Sequence, residues 1–171
     1  TQLTWMDAKV NDWIVTPRRG KAVEVNALWY NAWKIYAHFL HEVEEEGKAN
    51  RAENQAHTIH EAFQAQFWSP ELGYLYDVIQ EGKKDDALRP NQLFAVSLPF
   101  PLLTHDQAQQ MLEQVSHHLF TPVGMRSLAA HDPLYEPIYT GDQYNRDKAY
   151  HQGTVWSWLI GPYMDVLIRV K

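Results

Sequence analysis

The first residues of the chain place a carboxylate among indole rings. Asp7 lies between Trp5 and Trp13. Carboxylates favour water and indoles favour the protein interior, so a mixture of the two is typical of a lined cleft rather than of ordinary packing. Apolar walls raise the pKa of a carboxyl group because they disfavour its charged form, as a general acid requires. Asp7 is therefore a candidate proton donor, although a helix cap or an exposed loop would use the same residue type.

A second set of polar and aromatic residues opens the long helix that the sequence predicts after residue 20. Glu24, Asn26 and Trp29 lie in its first turns. A glutamate near a helix N-terminus is stabilised by the helix dipole, which alone could explain Glu24. Asn26 falls within an apolar stripe, where a buried amide must find hydrogen-bond partners. A sugar hydroxyl would be one such partner.

Two further predicted helix starts carry similar residues. Arg89-Pro90-Asn91-Gln92 provides a cation and two amides, and Tyr150-His151-Gln152-Gly153 provides two rings, an amide and a glycine that permits close approach. Each run alone is weak evidence. Because both follow irregular segments and open helices, together they indicate a shared site at one end of a helical barrel.

A metal site is the weaker interpretation of the histidines. His38, His41, His57 and His60 fall on the predicted hairpin of the first two helices, but their spacing matches no recognised ligand pattern. Exposed surface histidines are therefore favoured. The sequence also contains no serine nucleophile elbow, phosphate-binding loop or dinucleotide-binding glycine pattern. We expect no metal and no cofactor.

Length and composition exclude several classes of function. A chain of 171 residues holds one good-sized core and hardly more than one domain. Its net charge of -6 provides no basic excess for nucleic acid, and no apolar or basic amphipathic stretch predicts a membrane partner. The absence of cysteine is compatible with the cytoplasm. Aromatic residues form 13% of the chain and alternate with amides, histidine and arginine, which favours a carbohydrate cleft.

Hydrophobic periodicity predicts mostly helices. Residues 21–47 carry a wide apolar stripe, so this helix should be largely buried, and Gly47 should end it. A second helix over 50–68 has a narrower apolar face and should pack antiparallel to the first. The alternation over 73–78 predicts a short strand or extended turn.

The second half of the chain predicts further helices. Pro90 should open a short helix that ends at Leu98. Thr104 and Gln107 form a capping box for the next helix, which has one apolar face: Ala108, Met111, Leu112, Val115 and Leu119. About thirty aperiodic residues follow Pro122. A last apolar helix starts at about Gln152 and should be interrupted at Gly161-Pro162. The fold class is therefore predicted to be all-α, with a buried and an outer layer of helices.

Six blocks of sequence, in order along nearly the whole chain, resemble the amylo-alpha-1,6-glucosidase family, the glucosidase domain of glycogen debranching enzymes and their bacterial relatives. The blocks are Leu3-Thr4-Trp5-Met6-Asp7-Ala8; Thr16-Pro17-Arg18 with Gly20-Lys21 and the run from Glu24 to Asn31; Arg89 to Gln92; Thr121-Pro122 with Gly124 to Leu128; Tyr139 to Asp147; and Tyr150 to Trp156. Ser157 stands where the family often has proline, and Met125 where leucine is usual.

This resemblance implies an (α/α) toroid of six helical hairpins, of which residues 1–171 would be a single partial domain. It also implies hydrolysis of alpha-1,6-linked glucose at glucan branch points, with inversion at the anomeric carbon. Related toroid enzymes place their general acid on a loop with tryptophan and aspartate, here Trp5 and Asp7. The remaining glucose-binding residues would be Glu24, Asn26, Trp29, Arg89, Gln92, Tyr150, His151 and Trp156.

The resemblance further predicts that the chain is a C-terminally truncated fragment without its catalytic base, since five or six helices make about half a toroid. Asp142 and Asp147 are less favoured candidates for that base. Uncovered helix faces would promote self-association. The alternatives are another toroid glycosidase, similar to glucoamylase or trehalase, and a glycan-binding piece without catalytic activity.

Overall fold

The computed structural model describes residues 3–171 and confirms that helices dominate. Within these residues the helices are α1 (Val23–Glu42), α2 (Glu46–Phe67), α3 (Phe94–Ser97), α4 (His105–His118), α5 (Gln143–Ala149) and α6 (Ile160–Val170). Two 3-10 turns, Pro90–Leu93 and Ser157–Leu159, precede α3 and α6. None of the described helices is long and apolar enough to span a membrane.

Short antiparallel strands connect the helices. They are β1 (Lys9–Val10), β2 (Trp13–Ile14), β3 (Lys21–Ala22), β4 (Trp68–Ser69), β5 (Tyr74–Leu75), β6 (Val78–Gln80), β7 (Lys83–Asp85), β8 (Phe120–Thr121), β9 (Gly124–Arg126) and β10 (Val155–Trp156). They pair as β1-β2, β4-β5, β3-β6-β7 and β10-β9-β8. Of residues 3–171, 50% are helical, counting the 3-10 turns, and 14% are in strands, so the prediction of an all-α chain is only partly met.

The first two helices form the predicted antiparallel hairpin, but its turn lies earlier than expected. Glu44 adopts a left-handed conformation with a φ of 58°, and the backbone N–H of Glu45 bonds to the Leu40 carbonyl at 2.9 Å. Glu44 thus takes the position that a glycine commonly occupies after a helix. Gly47, predicted to end the first helix, instead lies inside α2.

Helix α1 is less buried than its sequence predicts. Its contacts with α2 bury Ala27, Ala37 and Leu40. On the other side of the helix Trp29 is 54% exposed and Phe39 is 62% exposed. The wide apolar stripe is therefore covered along one edge and open along the other.

The second half of the chain follows the predictions more closely. Thr104 and Gln107 form the predicted capping box, and the apolar face of α4 is buried. The last helix differs, because residues 155–156 form β10 and α6 begins only at Ile160. Pro162 lies in the first turn of α6, where its missing N–H breaks no hydrogen bond, so the helix is not interrupted.

One main core joins α1, α2, α4 and α6 around the segment from Leu88 to Val96. Arg169 near the end of α6 donates to the carbonyls of Val96 and Leu98 at 2.7 and 2.6 Å. The packing of α3 against α1 and α6 fixes the segment that begins at Arg89. The irregular stretches before α1 and before α6 lie against this segment, and together they form the candidate site.

Candidate active site

Trp5 lies at the centre of a cluster of aromatic rings. Its indole meets the rings of His151 and Trp158 edge-on, each at 5.1 Å between centroids, and that of Trp156 at 6.2 Å. Tyr150 packs edge-on against Trp156 at 4.9 Å. The structure therefore brings four predicted site residues, Trp5, Tyr150, His151 and Trp156, into one wall.

Asp7 lies beside this ring cluster and is exposed to solvent, while its neighbour Met6 is buried. The charge of Asp7 acts on the His151 ring and favours protonation of that ring. An accessible carboxylate therefore stands next to a wall of aromatic rings. The arrangement offers apolar ring faces that a sugar could contact and a carboxylate beside them.

A chain of hydrogen bonds that runs from Trp5 into the protein interior holds its indole in place. The indole Nε1 donates to Asn91 Oδ1 at 2.7 Å, and Asn91 Nδ2 donates to Asp77 Oδ1 at 2.8 Å. Asp77 in turn accepts from Arg18 Nε at 2.6 Å. Trp5, which is separated from Asp7 by a single residue, is thus anchored to groups in the protein interior.

The hydrogen-bond chain that begins at Trp5 ends in a cluster of buried charged residues. Arg18 donates to both Asp77 and Glu24, and all three side chains are buried. Burial opposes the charged form of Arg18, but the negative charges of Asp77 and Glu24 outweigh it and raise its pKa. Arg89 contributes a second cation, 3.8 Å from Asp77. The two arginines and two carboxylates balance in formal charge, which buried ion pairs require.

Arg89 joins the ring cluster to the rest of the protein. Its guanidinium donates to the carbonyls of Ser127 and His151 at 3.0 and 2.7 Å, and to Gln152 Oε1 at 2.6 Å. The side chain is buried, and burial lowers its pKa. In this structure Arg89 holds the segment that carries His151, and its predicted contact with sugar stays a prediction.

Gln92 and Glu24 are likewise engaged inside the protein. Gln92 donates to the Arg89 carbonyl at 3.0 Å and accepts from the Leu75 N–H at 3.1 Å. Glu24 pairs with Arg18. Both are buried, so they position other residues in this structure, and direct binding of glucose by them is untested.

His151 is almost fully buried, at 1% exposure, and its Nδ1 has no hydrogen-bond partner in the structure. Burial lowers its pKa to about 4, against the opposing effect of Asp7. The imidazole is therefore neutral near pH 7. Gly153 makes the close packing here possible, because it has a φ of 150° and a Cβ would overlap the carbonyl oxygen of Glu136.

Asn26 and Trp29 lie outside the ring cluster. Asn26 donates to the Ala22 carbonyl at 2.8 Å, and Trp29 packs edge-on against Trp33 at 5.5 Å on the open side of α1. The amide predicted to need a sugar hydroxyl thus has a backbone partner. Sugar binding by these two residues also stays a prediction.

Sequence reasoning missed three residues that shape the site: Arg18, Asp77 and Trp158. Asn91 belongs to the predicted run Arg89 to Gln92, and Trp158 lies two positions after the predicted Trp156. No local spacing connects Arg18 with Asp77, which is 59 positions away. Within residues 3–171 no group of three or more histidine and acidic side chains is arranged to hold a metal ion.

With this geometry in view, comparison with known proteins places the chain in a family. The profile of the amylo-alpha-1,6-glucosidase family matches residues 1–171. The chain belongs to this family. A glycogen debranching enzyme from Saccharomyces cerevisiae is 27% identical over 185 aligned residues, which cover 87% of this chain and 12% of the yeast protein.

The fold is similar to that of a solved (α/α)-toroid glycosidase, the neutral trehalase of Saccharomyces cerevisiae. The TM-score is 0.60 at 18% sequence identity, and the match covers 85% of this chain and 28% of the trehalase. At this identity the likeness concerns the fold alone. The chain thus corresponds to a small part of each of these two proteins.

Proposed function

We propose that this chain forms the general-acid side of a glycosidase site that removes alpha-1,6-linked glucose from branch points of an alpha-glucan. The observation that carries the proposal is the exposed Asp7 carboxylate beside the Trp5 ring cluster. Family membership and the yeast debranching relative support the substrate class. No cysteine is present, and we propose a cytoplasmic location.

In the proposed reaction Asp7 donates a proton to the glycosidic oxygen as the bond to the anomeric carbon breaks. The planes of Trp5 and Trp156 are nearly perpendicular, so one of the two rings stacks on the apolar face of the glucose and the other contacts the edge of the sugar. His151 is neutral near pH 7, so it adds no positive charge beside the acid.

We further propose inversion, in which a second carboxylate activates water on the opposite side of the sugar, roughly 6.5–9.5 Å from the acid. Glu24 and Asp77 are unsuited to this role because both are buried against Arg18. Asp142 bonds to the N–H of Asn145 as the cap of α5. None of these carboxylates is our candidate for the base.

The proposal is tested with Asp7→Asn in the longest natural reading frame that contains these 171 residues. The substitution keeps the shape of the side chain and removes the proton donor. We expect hydrolysis of an alpha-1,6-linked glucoside to fall by about two to four powers of ten. Sugar binding should persist because the ring cluster is unchanged.

The control is Asp12→Asn, an exposed carboxylate in the turn of the β1-β2 hairpin, which should retain full activity. Nearly full activity of Asp7→Asn would mean that another residue is the acid. A panel of alpha-1,6-, alpha-1,4- and alpha,alpha-1,1-linked glucosides separates debranching from a glucoamylase or trehalase activity. Saturable binding of all three without turnover would instead indicate a glycan-binding protein.

A further inference from the structure

A cavity opens beside the β1-β2 hairpin, which follows Asp7 in the chain. We call it the Trp13 groove. It has a volume of about 460 Å³, and its walls include Trp13, Val15, Leu134, Glu136, Lys148 and Gln152. The β1-β2 hairpin forms one side, and the segment around Leu134 forms the other. Nothing in the site described above uses this space.

Half-exposed apolar side chains border the groove. Trp13 is 42% exposed, and its ring lies 5.8 Å from that of Tyr144, with 32° between the ring planes. Leu134 on the opposite side is 64% exposed. Large apolar groups that stay open to water beside a cavity are typical of a surface that binds a ligand.

The polar groups of the groove suit an uncharged ligand. Lys148 forms an ion pair with Glu136, so the one cation and the one acid that line the cavity compensate each other. The cavity therefore presents neither an excess of positive charge for phosphate nor an excess of negative charge for a basic peptide. Aromatic and aliphatic faces with hydrogen-bonding groups between them complement sugar rings, which have apolar faces and hydroxyl edges.

Two contacts connect the groove with the Asp7 loop. The N–H of Val15, in the groove wall, bonds to the carbonyl of Ala8 at 3.1 Å, and Ala8 directly follows Asp7. Gln152, also in the wall, directly follows His151 and accepts from Arg89. The groove and the ring cluster are therefore built on the same two segments, the β1-β2 hairpin that follows Asp7 and the residues that follow His151.

We propose that the Trp13 groove binds the alpha-glucan chain from which the reacting glucose branches, with Trp13 and Tyr144 stacking on successive sugar rings. This inference rests on the proposed function, since it assigns the groove to the leaving-group side of the same substrate. It identifies a binding surface for several glucose units outside the ring cluster.

The test measures binding of maltohexaose and of maltose to the 171-residue chain by calorimetry. The wild-type chain is expected to bind maltohexaose more tightly than maltose. Trp13→Ala and Leu134→Glu should each weaken maltohexaose binding roughly tenfold, as the loss of one stacking or apolar contact would. Trp13→Phe should largely restore it. Phe39→Ala is the matched control, an exposed ring on α1 that should leave binding unchanged.

The proposal is overturned if the wild-type chain shows no preference for maltohexaose, or if Trp13→Ala and Leu134→Glu bind it as the wild type does. Because the groove residues are exposed, circular dichroism of both variants should match that of the wild type. Unchanged glucan binding in these variants, together with inactivity of Asp7→Asn, would reject the groove and leave the proposed function intact.

Discussion

At the scale of single residues, the candidate site depends on pairs of residues that hold one another in place. Trp5 contributes a ring face and also donates the hydrogen bond that fixes its own position to Asn91. His151 contributes its ring to the cluster while its backbone carbonyl binds Arg89. Trp5 and His151 are thus each tied to a buried partner, which keeps the rings beside Asp7 in a defined arrangement.

His151 gives the fold a dependence on acid. Its pKa is lowered by burial from 6.5 to about 4, so between these values the unfolded chain binds more protons than the folded chain. The free energy of unfolding is therefore unaffected by protonation of His151 above pH 6.5 and decreases as the pH falls towards 4. Between these two limits His151 lowers it by about 3 kcal/mol.

Denaturant unfolding from pH 4 to 7.5 measures this dependence in the wild type and in His151→Gln. We expect the variant to lose less stability on acidification than the wild type. His57→Gln, which changes an exposed histidine on α2, should follow the wild-type curve. Parallel curves for the wild type and His151→Gln would show that the buried ring does not determine the slope.

Asp77 should be the residue of the charge cluster that is most sensitive to substitution. Asp77→Asn keeps the size of the side chain but leaves Arg18 and Arg89 with one carboxylate between them. Breaking a buried ion pair from one side costs about 3–5 kcal/mol. Urea unfolding should show this loss as a lower free energy of unfolding for Asp77→Asn. The exposed Asp12→Asn is the control, and its free energy of unfolding should stay within about 0.5 kcal/mol of the wild-type value. An equally small change in Asp77→Asn would contradict the anchoring role of Asp77.

At the scale of elements, the sequence predicted those features that depend on residues close together in the chain. The apolar face of α4 and its Thr104–Gln107 capping box appear as expected, because both depend on residues within a few positions of one another. Most strands were not predicted, because a strand of two or three residues is too short to show an alternation of apolar and polar side chains. The pairing of Arg18 with Asp77 joins distant segments, and no spacing in the sequence encodes it.

The exposure of α1 has a similar cause. Periodicity shows which face of a helix is apolar, but not how much of that face a neighbour covers. Here α2 covers one edge, and the groove between Trp29, Trp33 and Tyr36 stays open. The prediction of a largely buried helix was therefore wrong for this half of the face.

This open face should make the 171-residue chain self-associate. Light scattering over a range of protein concentrations is expected to show masses above 20.0 kDa at the upper end. A charge on the face, as in Phe39→Glu, should shift the population towards the monomer, whereas the same change at exposed Val123 should not. A monomeric mass at all protein concentrations would show that the open face does not mediate self-association.

At the scale of the whole molecule, the proposed function places the general acid in this chain and leaves the catalytic base unassigned. We expect the 171-residue chain to hydrolyse alpha-1,6-linked glucosides hardly at all, even where it binds them, because inversion needs two carboxylates. Release of glucose at rates typical of enzymes, about 1 per second or faster, would contradict this expectation. The rate of glucose release measured with heat-denatured protein provides the background rate.

The hydrogen bond from Trp5 to Asn91 and the ring contacts of Trp5 with His151 also set an order of events while the chain is being made. Ribosomes add about 5–20 residues per second, so the rings that will cover Trp5 are synthesised roughly 7 to 30 s after it. During this interval the segment around Trp5 lacks the rings of His151, Trp156 and Trp158 that pack against its indole. A chaperone that binds this segment near the tunnel exit would therefore cover the same residues that the proposed function assigns to the sugar.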